Sequence, residues 1–85
     1  MKKKYIKVVA EFNEQGKLTP LEIIWDDDRR YEITHVGEMQ RAASTVGGAG
    51  YKFEITVEGK RRSIWLEDIK FDKAIGGRWF LEVQS

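Results

Sequence analysis

"YKFEITVEGKRRSIWLE", residues 51–67, decides the class of fold. Its first half places Tyr51, Phe53, Ile55 and Val57 in alternation with Lys52, Glu54, Thr56 and Glu58. A period of two sends successive side chains to opposite faces, so this segment predicts a strand with one apolar and one wet face. "EGK" at 58–60 is a turn, and "SIWLE" beyond it returns Ile64 and Leu66 to an apolar face. A separation this short joins antiparallel neighbours, because a parallel crossover needs about a dozen residues or more. The stretch therefore predicts a hairpin.

Working outward, the same period recurs. "IKVVAEF" puts Ile6, Val8, Ala10 and Phe12 inward, with Val9 intruding on the outer row. "LEIIW" sets Leu21, Ile23 and Trp25 together after Pro20, at a strand beginning where a missing N–H is tolerated. Tyr31 and Ile33 follow in "RYEI", and Trp79, Leu81 and Val83 in "RWFLEV". Turn-forming residues separate these runs in "NEQGK" (13–17), "DDDR" (26–29) and "DKAIGG" (72–77). The expected product is all-β, a six-strand antiparallel meander forming a single domain over residues 1–85.

Length turns the meander into a shape. A third segment from Arg30 to Ala43 would span roughly 46 Å if straight, at about 3.3 Å per residue. A chain of this size has a radius of gyration of about 12 Å and a diameter near roughly 30 Å. The segment must bend, and Ile33, Val36 and Met39 fall three apart, which a bulge near Thr34 to Gly37 or one helical turn explains. A bent strand lets a small sheet curl towards closure, so the pattern points to a small, partly open SH3-like β-barrel. A curved sheet with one short helix over "GEMQRAAS" or "LEDIKFDKA" is the alternative.

Ten aromatics supply the large buried areas that a short chain needs. There is no cysteine, which removes disulfide and thiol chemistry and fits a reducing compartment. Fifteen basic residues against 14 acidic ones give no global field that would select DNA or an anionic membrane. The basic opening "MKKKYIKVV" is interrupted by Lys7 before it can serve as a signal peptide. No run approaches the roughly 18 apolar residues of a membrane span, so a cytoplasmic location without a membrane partner is expected.

Chemistry-bearing motifs are sparse. His35 is the single histidine, so no histidine pair can chelate a metal, and its place where the alternation slips suits a structural imidazole donating to backbone. Ser44, Ser63 and Ser85 lack a G-x-S-x-G turn. Asp26, Asp27 and Asp28 lack the spacing of a calcium loop and, beside Arg29 and Arg30, read as a hairpin tip. Glu67 and Asp68 are adjacent and point to opposite faces of a strand. The glycines of "QRAASTVGGAGYKF" (40–53) miss the spacing of a phosphate-binding P-loop, and no lysine immediately follows the last. That stretch reads as the joint where the third strand reverses into the fourth, with Arg41 its one residue suited to an anion. No enzyme activity, cofactor or metal is expected.

Binding is the remaining class. Val9, Ile24, Trp65 and Phe80 form a lesser outward apolar row, to be covered by Ile69, Phe71 and Ile75 folding back or by a protein partner or weak homodimer. Arg61, Arg62 and Trp65, with Arg78 and Phe80 on the next strand, could instead combine basic and aromatic groups for single-stranded nucleic acid. Together with Arg41 they make up the expected binding surface, the first reading being a non-catalytic binding or protein-interaction module.

The order W-x-D-x-R-R-Y-x-I (25–33), R-A-A-S (41–44) and W-F-x-E (79–82) resembles a family of small uncharacterised bacterial proteins. The resemblance covers nearly the whole chain. It implies a stand-alone cytoplasmic β-domain and carries no activity with it. "DIKFDKAIGG" (68–77) departs from it by lengthening the last hairpin.

Overall fold

A computed structural model describes residues 2–43, 49–68 and 77–84. Six strands follow one another: β1 (Lys2–Phe12), β2 (Leu18–Ile24), β3 (Arg30–Ala43), β4 (Ala49–Val57), β5 (Lys60–Asp68) and β6 (Gly77–Val83). Each pairs antiparallel with the next, and β6 returns to pair with β1 from Lys2↔Val83 to Ile6↔Trp79. The six strands thus close into a small barrel. No helix occurs among the described residues; "GEMQRAA" lies within β3, and "LEDIKFDKA" continues outside them after Asp68.

The bend expected in the third strand is present. In β3 the pairing slips once between Ile33 and His35 and again between Val36 and Met39. Each slip inserts an extra residue, which bends the strand and sharpens its twist. Fourteen residues consequently fit a body measuring 38 × 37 × 25 Å. Ile33, Val36 and Met39 all oppose inward residues of β4, so two bulges reconcile the three-residue spacing with one face.

Three expectations are corrected around a further irregularity between Val9 and Ala10, opposite Pro20 to Glu22. Ile23 pairs with Val8 and is buried, but the extra residue Leu21 turns outward and is 39% exposed. Past the slip Phe12 reaches the end of β1 and is 72% exposed rather than inward. Pro20 is the third residue of β2, not its beginning, and is buried at the slip. A disrupted ladder is a place where a residue without an N–H donor is tolerated.

The core consists of Ile23, Ile33, Phe53, Ile55, Val57, Ile64 and Leu81, with Phe53 packed against Trp79 at 5.4 Å between ring centroids. Phe53, Ile55 and Ile64 are fully enclosed. Gly50 permits a close approach of β4 to β5, since a Cβ there would collide with the Leu66 carbonyl oxygen. Two strand junctions are short. β2 meets β3 only through Glu22↔Glu32, Ile23↔Tyr31 and Ile24↔Arg30, and β5 meets β6 only from Trp65↔Phe80 to Asp68↔Gly77. All six junctions are paired, so the barrel closes, and these two are its shortest seams.

Candidate functional site

The residues expected to form one binding surface are distributed over the barrel. Trp65 and Phe80 face outward by parity and lie directly opposite each other, stacked at 5.5 Å and 7°. They are nevertheless buried, at 7% and 3% exposure. Their faces are engaged by each other, by Lys52 over Trp65 at 5.7 Å, by Lys3 over Phe80 at 4.9 Å, and by the edge-on ring of Tyr5 at 6.1 Å. Bases therefore have no open ring face on which to stack. The Trp65 indole N–H is buried with no acceptor among the described residues. Ile24 and Val9 do not join this pair into one patch, because they oppose Lys7 and Glu22 on the far side of β1. Ile69, Phe71 and Ile75, expected to cover the row, lie outside the described residues.

Beside the aromatic stack, Glu67 gathers cations that the sequence pattern did not connect. Lys3 Nζ donates to its Oε2 at 2.5 Å, Arg78 Nη2 to its Oε1 at 2.8 Å, and the Tyr5 hydroxyl lies 3.2 Å from both oxygens. Arg78 also covers the Tyr5 ring at 4.3 Å. The hydrogen bond from Lys3 holds the Glu67 carboxyl below the usual range, assisted by Arg78 and Tyr5 and opposed by burial. Arg78 is thus a structural cation. Register explains the cluster: Glu67 opposes Arg78, while Lys3 and Tyr5 come from the strand that closes the barrel. A pairing between the first and last strands leaves no local signal in the sequence.

Arg61 is exposed on the outer face, whereas Arg62 opposes Ile55 and belongs to the inward row. Arg41 is exposed near the other end of the barrel, its guanidinium 5.3 Å from the Tyr51 ring and 3.0 Å from the Tyr51 hydroxyl. Ser44, Gly47 and Gly48 of the glycine-rich stretch lie outside the described residues.

The aspartate run forms the tip between β2 and β3. Trp25 N–H donates to the Arg29 carbonyl and Asp28 N–H to that of Trp25, both at 2.9 Å. Asp28 takes φ 65°, and Asp27 Oδ1 accepts the Arg29 backbone N–H at 3.1 Å. Asp26 pairs instead with Lys4 at 2.6 Å, bringing that lysine 5.2 Å from the Trp25 ring. Among the described residues no three metal-ligating side chains converge. His35 sits exposed at the first bulge of β3 opposite Thr56, and its ring makes no hydrogen bond among the described residues, so the expected donation to backbone is absent.

Among the described residues a large concavity arises where the β2–β3 pairing ends. Because pairing stops at Glu22↔Glu32, the start of β2 and the later half of β3 diverge around a cleft of about 940 Å³. Phe12, Leu18, Val36 and Met39 line its sides, while Phe53 and Leu66 form the floor. Phe12 and Met39 are 72% and 53% exposed, unusual for large apolar side chains beside a core. Before Glu22 β2 pairs with β1 alone, beyond Glu32 β3 pairs with β4 alone, and neither has a strand partner facing the cleft. Alternation alone concealed this cleft, since it counted Phe12 among inward residues and named Met39 only where the alternation slips. No family model, curated protein or solved structure matches the chain.

Proposed function

We propose that this chain is a non-catalytic, SH3-like interaction module of a bacterial cytoplasm that captures an extended segment of a partner protein in the β2–β3 cleft. The observation carrying the reading is the meeting of two unpaired strand edges across an apolar trough. An extended peptide supplies main-chain donors and acceptors to an open edge and sets alternate side chains into the trough beneath. Phe12, Leu18 and Met39 would receive those side chains, and the exposure of Phe12 and Met39 in the free protein is surface that binding removes from water. Bulges such as those in β3 commonly terminate pairing beside functional sites, which agrees with a seam kept open.

Single-stranded nucleic acid has less support as the partner. Trp65 and Phe80 are occupied by each other, Arg78 by Glu67, and Arg62 lies on a different face from Arg61. An open edge can also accept a second copy of this chain, giving the weak homodimer as a competing outcome.

Selection from a random peptide display library tests the proposal. Enriched peptides should carry apolar residues at alternate positions, and an amide-resolved titration should shift Leu18, Thr19 and the β3 residues from Thr34 to Arg41. Met39→Lys should abolish binding, while Arg61→Ala leaves it unchanged. Failure to enrich any peptide, or shifts confined to the Trp65–Phe80 face, would refute the assignment; concentration-dependent self-association blocked by Met39→Lys would replace it with the homodimer.

A further inference from the structure

At the opposite end of the barrel from the β1–β2 hairpin, the sequence pattern breaks in a chemically specific way. Lys60, Arg62, Ile64 and Leu66 occupy the same face of β5, opposite Val57, Ile55, Phe53 and Tyr51. Two apolar positions of the interior row are therefore replaced by consecutive cations just where the barrel opens. They edge a separate cavity of about 240 Å³. Its floor is Ile23, Val57 and Leu81, all buried, and its aromatic walls are Trp25 and Tyr31. Neither Lys60 nor Arg62 has a carboxylate partner among the described residues. One acid, Glu58 on the turn at the rim, lines the cavity with them, and Glu82 lines a neighbouring depression beside Arg62.

We infer that this mouth is a binding site for a small organic carboxylate with an apolar body. The volume falls below the roughly 300–1,000 Å³ of drug-sized pockets, which limits the ligand to a small metabolite. Its hydrocarbon or ring would rest on Ile23, Val57 and Leu81 between Trp25 and Tyr31. Its carboxylate would meet Arg62, whose planar fork suits two parallel hydrogen bonds, and Lys60, a mobile point charge. A bare inorganic anion would leave the apolar floor unused, and a neutral hydrocarbon would leave both cations unpaired. The site is separate from the β2–β3 cleft and does not depend on what that cleft binds.

The test is an NMR titration of the intact chain with phenylacetate, its neutral isostere phenylacetamide, and inorganic phosphate. Phenylacetate should shift the Trp25 indole N–H and the amides of Tyr31, Val57 and Arg62. Phenylacetamide should bind about 10- to 100-fold more weakly, the range expected for losing a charge-assisted hydrogen bond. Arg62→Gln should weaken phenylacetate by a similar factor while preserving the rest of the spectrum, and Arg62→Lys should restore part of the loss. Equal binding of acid and amide would overturn the anion assignment, and equal shifts from phosphate would overturn the role of the apolar floor. Absence of shifts at millimolar phenylacetate would overturn the site itself.

Discussion

Gly50→Ala is the substitution whose consequence follows most directly from the backbone. Gly50 lies between Ala42 of β3 and Glu67 of β5. An added Cβ would overlap the Leu66 carbonyl oxygen and come within 3.0 Å of the Leu66 carbonyl carbon and 3.2 Å of the Glu67 Cα. All three obstacles are main chain, so no side-chain rotation relieves them. The end of β5 would have to retreat by about 1 Å, and forced overpacking of this kind costs typically about 1–3 kcal/mol. Weakening one ladder hydrogen bond adds about 1 kcal/mol, giving a total near 2–4 kcal/mol. For a domain of this size that corresponds to a fall in Tm of about 10–30 °C. Gly37→Ala is the matched control, because its Cβ would meet Glu54 atoms at an ordinary 3.5 Å. It should change stability by less than about 1 kcal/mol, with reduced freedom of the unfolded chain favouring the variant. Thermal and urea unfolding followed by circular dichroism read both. A Gly50→Ala protein within 0.5 kcal/mol of the parent, by roughly the scatter of neutral surface substitutions, would refute the close approach of β4 and β5.

Ile64→Ala should cost about 2–5 kcal/mol in urea unfolding, because Ile64 is 0% exposed and its loss leaves a cavity among Phe53, Ile55 and Leu81. Acid should destabilise the barrel through Glu67: its carboxyl titrates lower when folded than when unfolded, so its contribution is present above the ordinary glutamate value of about 4.3 and is lost as pH falls through the folded value. Glu67→Gln should flatten that part of the Tm-against-pH curve, and an unchanged curve would contradict the Lys3–Tyr5–Arg78 arrangement. Short mixed-sequence RNA at low salt should leave the Trp65 and Phe80 ring signals in place, and large shifts there would reopen the nucleic-acid reading.

The class of fold was legible because strands with unlike faces write a period of two, and "YKFEITVE" obeys it without interruption. The bend in β3 was legible from length alone, as a straight segment would overrun the molecule. Leu21 departs from the pattern because one inserted residue in β2 reverses the parity there, and nothing in "LTPLEII" marks where the slip falls; Phe12 keeps its parity opposite Leu18 but ends β1, where it is exposed. Trp65 and Phe80 were assigned the outward face with a cover expected from Ile69, Phe71 and Ile75, which lie outside the described residues. The aromatic pair's neighbours Lys3 and Tyr5 arrive from the far end of the chain. Arg62 was grouped with Arg61 by adjacency, whereas strand geometry separates them onto opposite faces. The β2–β3 cleft depends on how far pairing extends, a property of two strands together.

Amide hydrogen exchange, resolved by residue, tests the open seam directly. Amides in Glu22–Ile24 and Arg30–Glu32, where the two strands pair, should be protected, as should those of β4 and β5 between their neighbours. Cleft-facing amides among Leu18, Thr19, Leu21 and Thr34–Arg41 should exchange orders of magnitude faster and become protected when a selected peptide binds. Uniform slow exchange along β2 and β3 in the free protein would show a fully zipped barrel and contradict the proposed mode of capture.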